Sequence, residues 1–252
     1  MSVTAYFVSD VHLTNQTDER AQLFLSFLRR LGRDLECTHL FLLGDIFDLW
    51  LSDYAFFQNQ YEEVVVQIRR LNMEGVAIHY FEGNHDLYLE KFWGRELGAE
   101  VHCGPVNTTL AGWKLRLEHG DELDPDDTGY LFLRWFLRTP LMKIVARSLP
   151  EAVLVRVGEK ASRSSRAYTS GYKSQDESTA REKILAHGRR ALAAQPFDIL
   201  IAGHIHVRED RMIGSGETKH RVVNLGSWMD NPSVFVLTPS EGRWLDLGKV
   251  SN

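Results

Sequence analysis

Cysteine, long apolar runs and surplus positive charge are all scarce in this sequence. Only two of its 252 residues are cysteine. Cys37 and Cys103 show no metal-type spacing, and we expect two free thiols rather than a disulfide. No apolar stretch reaches about 18 residues and no leader pattern opens the chain, so neither a transmembrane helix nor a signal peptide is predicted. The net charge of −5 gives no nucleic-acid signature. We expect a cytoplasmic protein without a nucleic-acid partner.

The remaining sequence alternates apolar runs with amphipathic segments, as is typical of βαβ units around a largely parallel sheet. A chain of 252 residues can bury one sizeable core, so we predict a single domain over residues 1–252. The predicted buried strands are Ala5–Val8, Leu40–Leu43, Val76–Phe81, Leu115–Leu117 and Ile199–Ala202. The predicted helices are Asp18–Leu35, with Thr17 as its N-cap, Asn59–Glu74, and Ser178–Ala194.

Three further strand patterns close the chain at short intervals. They are Arg221–Asn224, Val234–Leu237 and Trp244–Leu247. We interpret them as antiparallel strands that complete a second sheet. The predicted fold class is therefore α/β, a sandwich of two packed sheets with helices outside.

A segment from about residue 124 to 175 interrupts the strand series, and we interpret it as a cap insertion. Its first half is apolar and helical in pattern, and Pro140 should divide it into two helices. Between Lys143 and Lys173 there are seven basic residues and two acidic ones. This composition suits an acyl-chain pocket, an anionic substrate or an anionic membrane surface. Two helices that simply pack on the core are the alternative.

Polar residues end nearly every predicted strand. The motifs are Asp10-Val11-His12, Gly44-Asp45, Gly83-Asn84-His85-Asp86, His119-Gly120 and Gly203-His204-Ile205-His206. Because ligands bind beyond the carboxyl ends of strands in open α/β sheets, these side chains should meet at one edge. Asp10 and His12 are two residues apart, so extended backbone would point both the same way.

These carboxylates, imidazoles and the amide are enough to hold two divalent metal ions. The expected ligands of the first ion are Asp10, His12, Asp45 and His206. The expected ligands of the second are Asp45, Asn84, His119 and His204, with the two oxygens of Asp45 bridging the ions. The mixed donor set suits Mn²⁺, Fe²⁺ or Zn²⁺ better than Mg²⁺, and we expect Mn²⁺. Two ions about 3.5–4 Å apart activate a shared water and clamp phosphoryl oxygens.

His85 is the best candidate for a catalytic group that is not a ligand. Its imidazole could stabilise the transferring phosphoryl group or protonate the leaving oxygen. Asp86 is expected to assist by orienting the other ring nitrogen of His85. The sequence contains no G-x-S-x-G elbow, P-loop or CxxC that would point to a competing chemistry.

The five motifs, in this order, resemble those of the calcineurin-like metallophosphoesterase superfamily. The resemblance implies an αββα sandwich that hydrolyses phosphoesters or pyrophosphates. The stretch from His119 to Tyr130 is also similar to the HGD-x(5)-D-x-x-Y pattern of the UDP-2,3-diacylglucosamine pyrophosphatase family. Gly44 to Trp50 resembles the GDLF-x-x-W of that family. The main branch of the family has arginine where this chain has His85.

This second resemblance implies a substrate. The reaction would cleave the pyrophosphate of UDP-2,3-diacylglucosamine, a nucleotide-linked glycolipid of lipid A biosynthesis, to UMP and 2,3-diacylglucosamine 1-phosphate. From the cap composition we also expect peripheral contact with an anionic membrane surface at the inner face of the membrane, and the sequence indicates no obligatory protein partner. The implied substrate-binding residues are Asn84, His85, Asp127, Tyr130, Arg163, Arg166, Lys173 and His204. The alternatives are a soluble metallophosphoesterase of another substrate and a non-catalytic metal-binding scaffold.

Overall fold

Two stacked β-sheets form the centre of the computed structural model, which describes residues 2–156, 177–215 and 218–248. The first sheet has six strands in the order β13-β12-β1-β2-β4-β6, and the second has five in the order β10-β11-β9-β8-β7. A small parallel pair, β3 and β5, lies apart from both. The strands are Ala5–Val8 (β1), His39–Leu42 (β2), Trp50–Leu51 (β3), Ala77–Phe81 (β4), Asp86–Leu87 (β5), Glu100–His102 (β6), Val106–Leu110 (β7), Trp113–Leu117 (β8), Ile199–Ala202 (β9), Glu209–Ser215 (β10), Thr218–Asn224 (β11), Ser233–Leu237 (β12) and Gly242–Asp246 (β13).

Helices cover the outer faces of both sheets. They are Glu19–Arg30 (α1), Ala55–Gln60 (α2), Glu62–Met73 (α3), Thr128–Leu137 (α4), Pro140–Ser148 (α5) and Glu177–Ala194 (α6), with a π-helical turn at Glu90–Glu96. Alternation along β1 explains the layers: Ala5 and Phe7 face the second sheet, while Tyr6 and Val8 pack beneath α1 and α3. α6 packs on the outside of the second sheet. The predicted two-sheet α/β sandwich is confirmed.

The helix boundaries differ from the prediction in two places. Thr17 is not the cap of α1, because the carboxylate of Asp18 accepts the amide of Ala21 at 2.6 Å. α1 ends at Arg30 rather than Leu35. The predicted helix over residues 59–74 is two helices, which meet at Tyr61, where φ is −121°.

Two of the three closing strands do not belong to the predicted second sheet. β12 and β13 extend the first sheet, with Ala5 of β1 opposite Leu237 of β12 in an antiparallel pair. Of the three closing strands, only β11 belongs to the second sheet, where it runs parallel to β9. Every residue of Ser233–Leu237 is buried, so no polar face indicates which sheet the strand joins.

The described part of the predicted cap contains α4, α5 and a further helical segment over residues 151–156. Pro140 occupies the first turn of α5, so the predicted division into two helices is confirmed. The hydroxyl of Tyr54 holds the end of α5 by donating to the carbonyls of Ala146 and Leu149 at 2.7 and 2.8 Å. Arg163, Arg166 and Lys173 lie outside the described residues, and the single domain with its cap over 124–175 stays a prediction.

Two smaller features concern the thiols and the membrane. Cys37 and Cys103 are both free, as predicted. Among the helices of the described ranges, none has the length and apolar content needed to cross a bilayer.

Candidate metal centre

The predicted ligands lie in the loops that follow five strands. Asp10 and His12 follow β1, Asp45 follows β2, and Asn84 follows β4 in the first sheet, and His119 follows β8 in the second. The loop after β9 contributes the last two histidines. Neighbouring loops are joined by backbone hydrogen bonds, including the Asp10 amide to the Gly44 carbonyl and the His12 amide to the Asp45 carbonyl, both at 3.1 Å.

Four of these residues have left-handed backbone, which side chains with a Cβ rarely adopt. The φ angles are 51° at Asp10, 50° at His12, 53° at Asp45 and 65° at His204. The prediction that Asp10 and His12 converge through extended backbone is therefore wrong, because two left-handed residues turn the chain here. Unfavourable backbone that recurs in this way is typical of functional sites.

The first group of donor atoms comprises Asp10, His12 and His206. Nε2 of His12 lies 3.2 Å from Nε2 of His206. Oδ1 of Asp10 lies 3.5 Å from Nε2 of His206 and 3.9 Å from Nε2 of His12. Oδ2 of Asp10 is held by the His204 amide at 2.9 Å. Oδ1 is buried and has no hydrogen-bond partner within the described parts of the chain.

The second group comprises Asp45, Asn84, His119 and His204. Oδ1 of Asn84 lies 3.2 Å from Nε2 of His119 and 3.1 Å from Nδ1 of His204. Nδ1 of His119 must donate to the carbonyl of Leu43 at 2.8 Å, since a carbonyl can only accept. Nε2 of His119 is then the nitrogen that faces the centre, an orientation typical of metal-binding histidine.

Asp45 lies between the two groups. Its Oδ1 accepts the backbone amides of Asn84 and His85, each at 3.0 Å. Its Oδ2 lies 3.6 Å from Nε2 of His119 and 3.9 Å from Nε2 of His12. A shared ligand would therefore use Oδ2 alone, whereas the sequence suggested a bridge through both oxygens.

The electrostatics of the centre favour added positive charge. Burial opposes a proton on His119, but the carboxylates of Asp45 and Asp10 outweigh it and raise its pKa to about 9. Burial lowers the pKa of His12 to about 3 and, with the charge on His119, that of His204 to about 4. These two rings are neutral at pH 7, as metal ligation requires.

A pair of divalent cations fits this donor set. Carboxylate, imidazole and amide groups converge in two groups that share Asp45. Within the described residues the buried Oδ1 of Asp10 accepts no hydrogen bond, and this costs folding free energy unless a cation binds the oxygen. The structure thus brings together all seven predicted ligands, Asp10, His12, Asp45, Asn84, His119, His204 and His206.

Asp86 has a different role from the one predicted. Its carboxylate accepts the amides of Asp45 and Ile46, both at 3.0 Å, and that of Gly83 at 2.7 Å. The hydroxyl of Tyr80 donates to it at 2.7 Å. Burial and the nearby charge of Asp45 raise its pKa to about 6. Asp86 therefore fixes the two loops that carry ligands, and does not orient His85.

The ring of His85 is oriented by the backbone of Asp48. Nδ1 of His85 donates to that carbonyl at 2.8 Å, which leaves Nε2 as the nitrogen available to a reacting group. The ring lies edge to face with His12, with centroids 4.9 Å apart, and groups with His12 and Asp45. His85 is therefore at the centre, as its predicted catalytic role needs.

The start of α4 connects the cap to the centre. Asp127, a predicted substrate contact, caps α4 by accepting the Tyr130 amide at 3.0 Å. The ring of Tyr130 lies 5.9 Å from that of His204, and its hydroxyl donates to Asp121 at 3.3 Å. Arg134 donates to the same carboxylate at 2.6 Å. Tyr130 thus faces the centre, whereas the side chain of Asp127 is the N-cap of α4.

Sequence reasoning missed two residues beside the centre, Asp121 and Arg138. Arg138 donates to the Gly83 carbonyl at 3.0 Å and lies 3.5 Å from Asp121. Burial opposes ionisation of Asp121, but His119, Arg138 and Arg134 lower its pKa to about 2. The signal for Asp121 was its place directly after His119-Gly120. Arg138 gave no such signal, because it directly follows the apolar helix α4 and belongs to no motif.

An apolar pocket of about 220 Å³ opens beside the centre. Asn84 and His85 form its polar end. Its apolar wall is formed mainly by α4 and α5, including Leu133, Leu137 and Met142. The pocket therefore connects a candidate phosphoryl-transfer centre with a largely apolar wall that suits an apolar group.

Comparison with known proteins identifies the chain's relatives. The sequence profile of the calcineurin-like phosphoesterase family matches residues 3–208. UDP-2,3-diacylglucosamine hydrolase of Ectopseudomonas mendocina (strain ymp) is 32% identical over 224 residues, 88% of each chain. The protein of that name from Stenotrophomonas maltophilia (strain K279a) is 29% identical over 245 residues, 96% of this chain and 97% of that one. A solved archaeal phosphodiesterase aligns with a TM-score of 0.49 at 14% identity, covering 97% and 99% of the two chains.

Proposed function

Because the chain belongs to the calcineurin-like phosphoesterase family, we propose that it hydrolyses the pyrophosphate bond of UDP-2,3-diacylglucosamine. The products are UMP and 2,3-diacylglucosamine 1-phosphate. The names of its relatives imply a nucleotide-linked glycolipid as substrate. The observation that carries the assignment to this chain is the apolar pocket that opens at Asn84 and His85.

Family membership implies divalent metal ions, and we propose Mn²⁺. One ion would be held by Asp10, His12, Asp45 and His206, and the other by Asp45, Asn84, His119 and His204. When bound, the ions supply Lewis-acid activation of water and neutralise charge on the phosphoryl oxygens. The histidine-rich donor set supports a transition ion over Mg²⁺.

Side chains beside the centre position the substrate and transfer a proton during the reaction. His85, with Nδ1 committed to the Asp48 carbonyl, presents Nε2 to the phosphoryl group or the leaving oxygen. Arg138, whose guanidinium donates to the Gly83 carbonyl at 3.0 Å, lines the same pocket as Asn84 and His85 and would attract the phosphate charge. Tyr130, in the first turn of α4, lines the pocket on the side of the centre. Arg163, Arg166 and Lys173 are proposed to bind the sugar phosphate.

The pocket is proposed to receive an acyl chain. At about 220 Å³ it is smaller than the 300–1,000 Å³ typical of drug-sized ligands, so it suits one slender apolar group. Each methylene buried there adds about 0.8 kcal/mol. Asp127, which begins α4, contributes to substrate binding by holding this helix in place.

We also propose that α4 and α5 rest on a membrane surface, with the protein otherwise cytoplasmic. Phe132, Trp135, Leu141 and Ile144 are 62–65% exposed, which is unusual for a monomeric soluble protein. Two arginines of this segment do not lie on this face. Arg134 and Arg138 turn inward to Asp121, and their side chains are only 12% and 14% exposed. Apolar insertion rather than arginine contact is then the source of affinity.

Turnover of matched substrates tests the proposed function. Mn²⁺-loaded protein should hydrolyse UDP-2,3-diacylglucosamine in detergent, releasing UMP, and should turn over a UDP-sugar without acyl chains far more slowly. Leu133→Gln, which places an amide in the pocket wall, should raise KM for the lipid only. Met73→Gln on exposed α3 is the control. Equal kcat/KM for both substrates would instead identify a soluble nucleotide pyrophosphatase.

A further inference from the structure

A second cluster of metal-type donors lies at the edge of the first sheet. His79 of β4 and Glu100 and His102 of β6 place one donor atom each within 4.8 Å of one another. None of the three is among the predicted ligands of the dinuclear centre. The sheet register sets the arrangement, since His79 pairs with Glu100 and Phe81 pairs with His102. The cluster is therefore fixed by backbone pairing rather than by flexible loops.

The distances match those around a tetrahedral ion. Nδ1 of His79 lies 3.4 Å from Nε2 of His102 and 3.2 Å from Oε2 of Glu100. Nε2 of His102 lies 3.8 Å from Oε1 of Glu100. With Zn²⁺ bonds of about 2.0–2.2 Å, neighbouring ligand atoms in a tetrahedron are about 3.3–3.6 Å apart. The separations of Nδ1 of His79 from its two partners fall within or just below this range. The two histidines face different oxygens of Glu100, so the exposed carboxylate must rotate to bring a single oxygen to both.

Ring packing holds the two imidazoles in position. The ring of His79 stacks on Phe41 with centroids 4.4 Å apart, and on His102 at 5.7 Å. Phe81 packs against His102 at 4.4 Å. Rings restrained in this way lose little freedom when they bind an ion.

The charge state of the cluster leaves a carboxylate beside two neutral rings. Burial lowers the pKa of His79 to about 4 and also lowers that of His102. At pH 7 both rings are neutral, so each has a nitrogen lone pair that can bind a metal ion. Neither ring carries a positive charge that could neutralise the carboxylate of Glu100. A divalent ion supplies the missing positive charge and uses all three donors.

We propose that His79, Glu100 and His102 form a third metal site, of the Zn²⁺ class, at the edge of the first sheet. Two histidines and one glutamate are a known zinc donor set that leaves one position open. A cavity of about 240 Å³ adjoins the cluster, with Thr108 and Thr109 of β7 in its wall, so water fits the open position. The ion joins edge strand β6 to β4, the strand that leads to Asn84.

Metal counting on the whole protein tests the site. Protein saturated with Mn²⁺ and then dialysed against Zn²⁺ should contain three ions per chain by mass spectrometry of the metals, whichever ion fills the dinuclear centre. The double variant His79→Ala, His102→Ala should contain two. His39→Ala removes a ring from the same stack without removing a donor and should keep three. Two ions in the wild type, or three in the double variant, would overturn the proposal.

Glu100→Gln gives a second test that does not depend on the core. The side chain of Glu100 is 67% exposed, so this variant should fold normally. It should weaken binding of the third Zn²⁺ about tenfold or more and reduce the rise in Tm that Zn²⁺ produces. An unchanged affinity and an unchanged rise in Tm would show that the cluster is only a hydrogen-bonded ion pair.

Discussion

Asp45 is the residue on which the candidate centre depends most. The amides of Asn84 and His85 fix one of its oxygens, and the other faces His12 on one side and His119 on the other. A carboxylate immobilised through one oxygen has the other oriented in advance for ligation. The two donor groups are therefore coupled through this single side chain.

Asp45→Asn should remove the coupling while preserving the fold. The asparagine oxygen can still accept both amides, but the charge shared by two cations is lost. Metal content should fall below two per chain, and turnover should drop at least about a hundredfold, since even outer partners of ligands cost 10–100-fold. Metal analysis and steady-state kinetics measure both effects. Asp34→Asn, at an exposed turn, is the control, and a variant with full metal content and normal rate would contradict the shared ligand.

The residues that meet at the candidate centre could be predicted from sequence, because Asp, Asn and His are typical metal donors and the motifs end strands. The backbone conformation of these residues could not be predicted, because the left-handed φ angles of Asp10 and His12 are imposed by the loops around them. The role of Asp86 was missed for a related reason. Its partners Asp45 and Ile46 are about forty residues away in sequence, so no local pattern indicates them.

At the scale of elements, α4 and α5 form the most unusual surface of the described chain. Their apolar side chains face both a pocket and the solvent. Sequence periodicity predicted two helices and identified Pro140 as the break. It could not show that Arg134 and Arg138 point inward, because their partner Asp121 lies before the helices begin.

Phe132→Gln with Trp135→Gln should weaken binding to vesicles. Full burial of a large apolar side chain is worth about 1.5–3 kcal/mol, so losing two partly inserted ones should reduce partitioning roughly tenfold or more. Co-sedimentation with anionic vesicles measures this. Met73→Gln, on exposed α3, is the matched control. Equal binding by the double variant and the wild type would remove the membrane from the proposal.

The two sheets are also joined at their edges by a charged group. Asp210 of β10 accepts two hydrogen bonds from Arg221 of β11, both at 2.8 Å. Trp244 of β13, in the other sheet, donates to it at 2.7 Å. Burial opposes ionisation of Asp210, but Arg221 and Trp244 outweigh it and hold its pKa below the ordinary value. The carboxylate therefore stabilises the fold only while it is ionised.

Asp210→Asn should destabilise the protein in a pH-dependent way. A lowered folded-state pKa means that the stabilisation is complete above the unfolded pKa of about 3.9 and is lost as pH falls through the folded value. The variant should lose about 1–3 kcal/mol at pH 7, and the difference should shrink below about pH 4. Urea unfolding across this range measures it, with Glu241→Gln in an exposed pair as control. A constant difference at all pH values would exclude the charge as the cause.

For the whole molecule, the stacking of the two sheets creates the candidate centre. Asp10, Asp45 and Asn84 come from loops of the first sheet, and His119 and His204 from loops of the second. The inter-sheet core, with Phe7 and Ile201 among its members, sets their separation. The sequence predicted the central parallel strands well because their connections are helices. It did not place β12, because burial on both faces removes the pattern that would choose a sheet, and β13 joins the same sheet by pairing with β12.

Anomalous diffraction from crystals soaked in Mn²⁺ tests the central claim most directly. Two peaks should lie on either side of Oδ2 of Asp45. One should be ligated by Asp10, His12 and His206, and the other by Asn84, His119 and His204. A single peak, no peak, or peaks away from these side chains after full repletion would contradict the dinuclear centre and the function built on it.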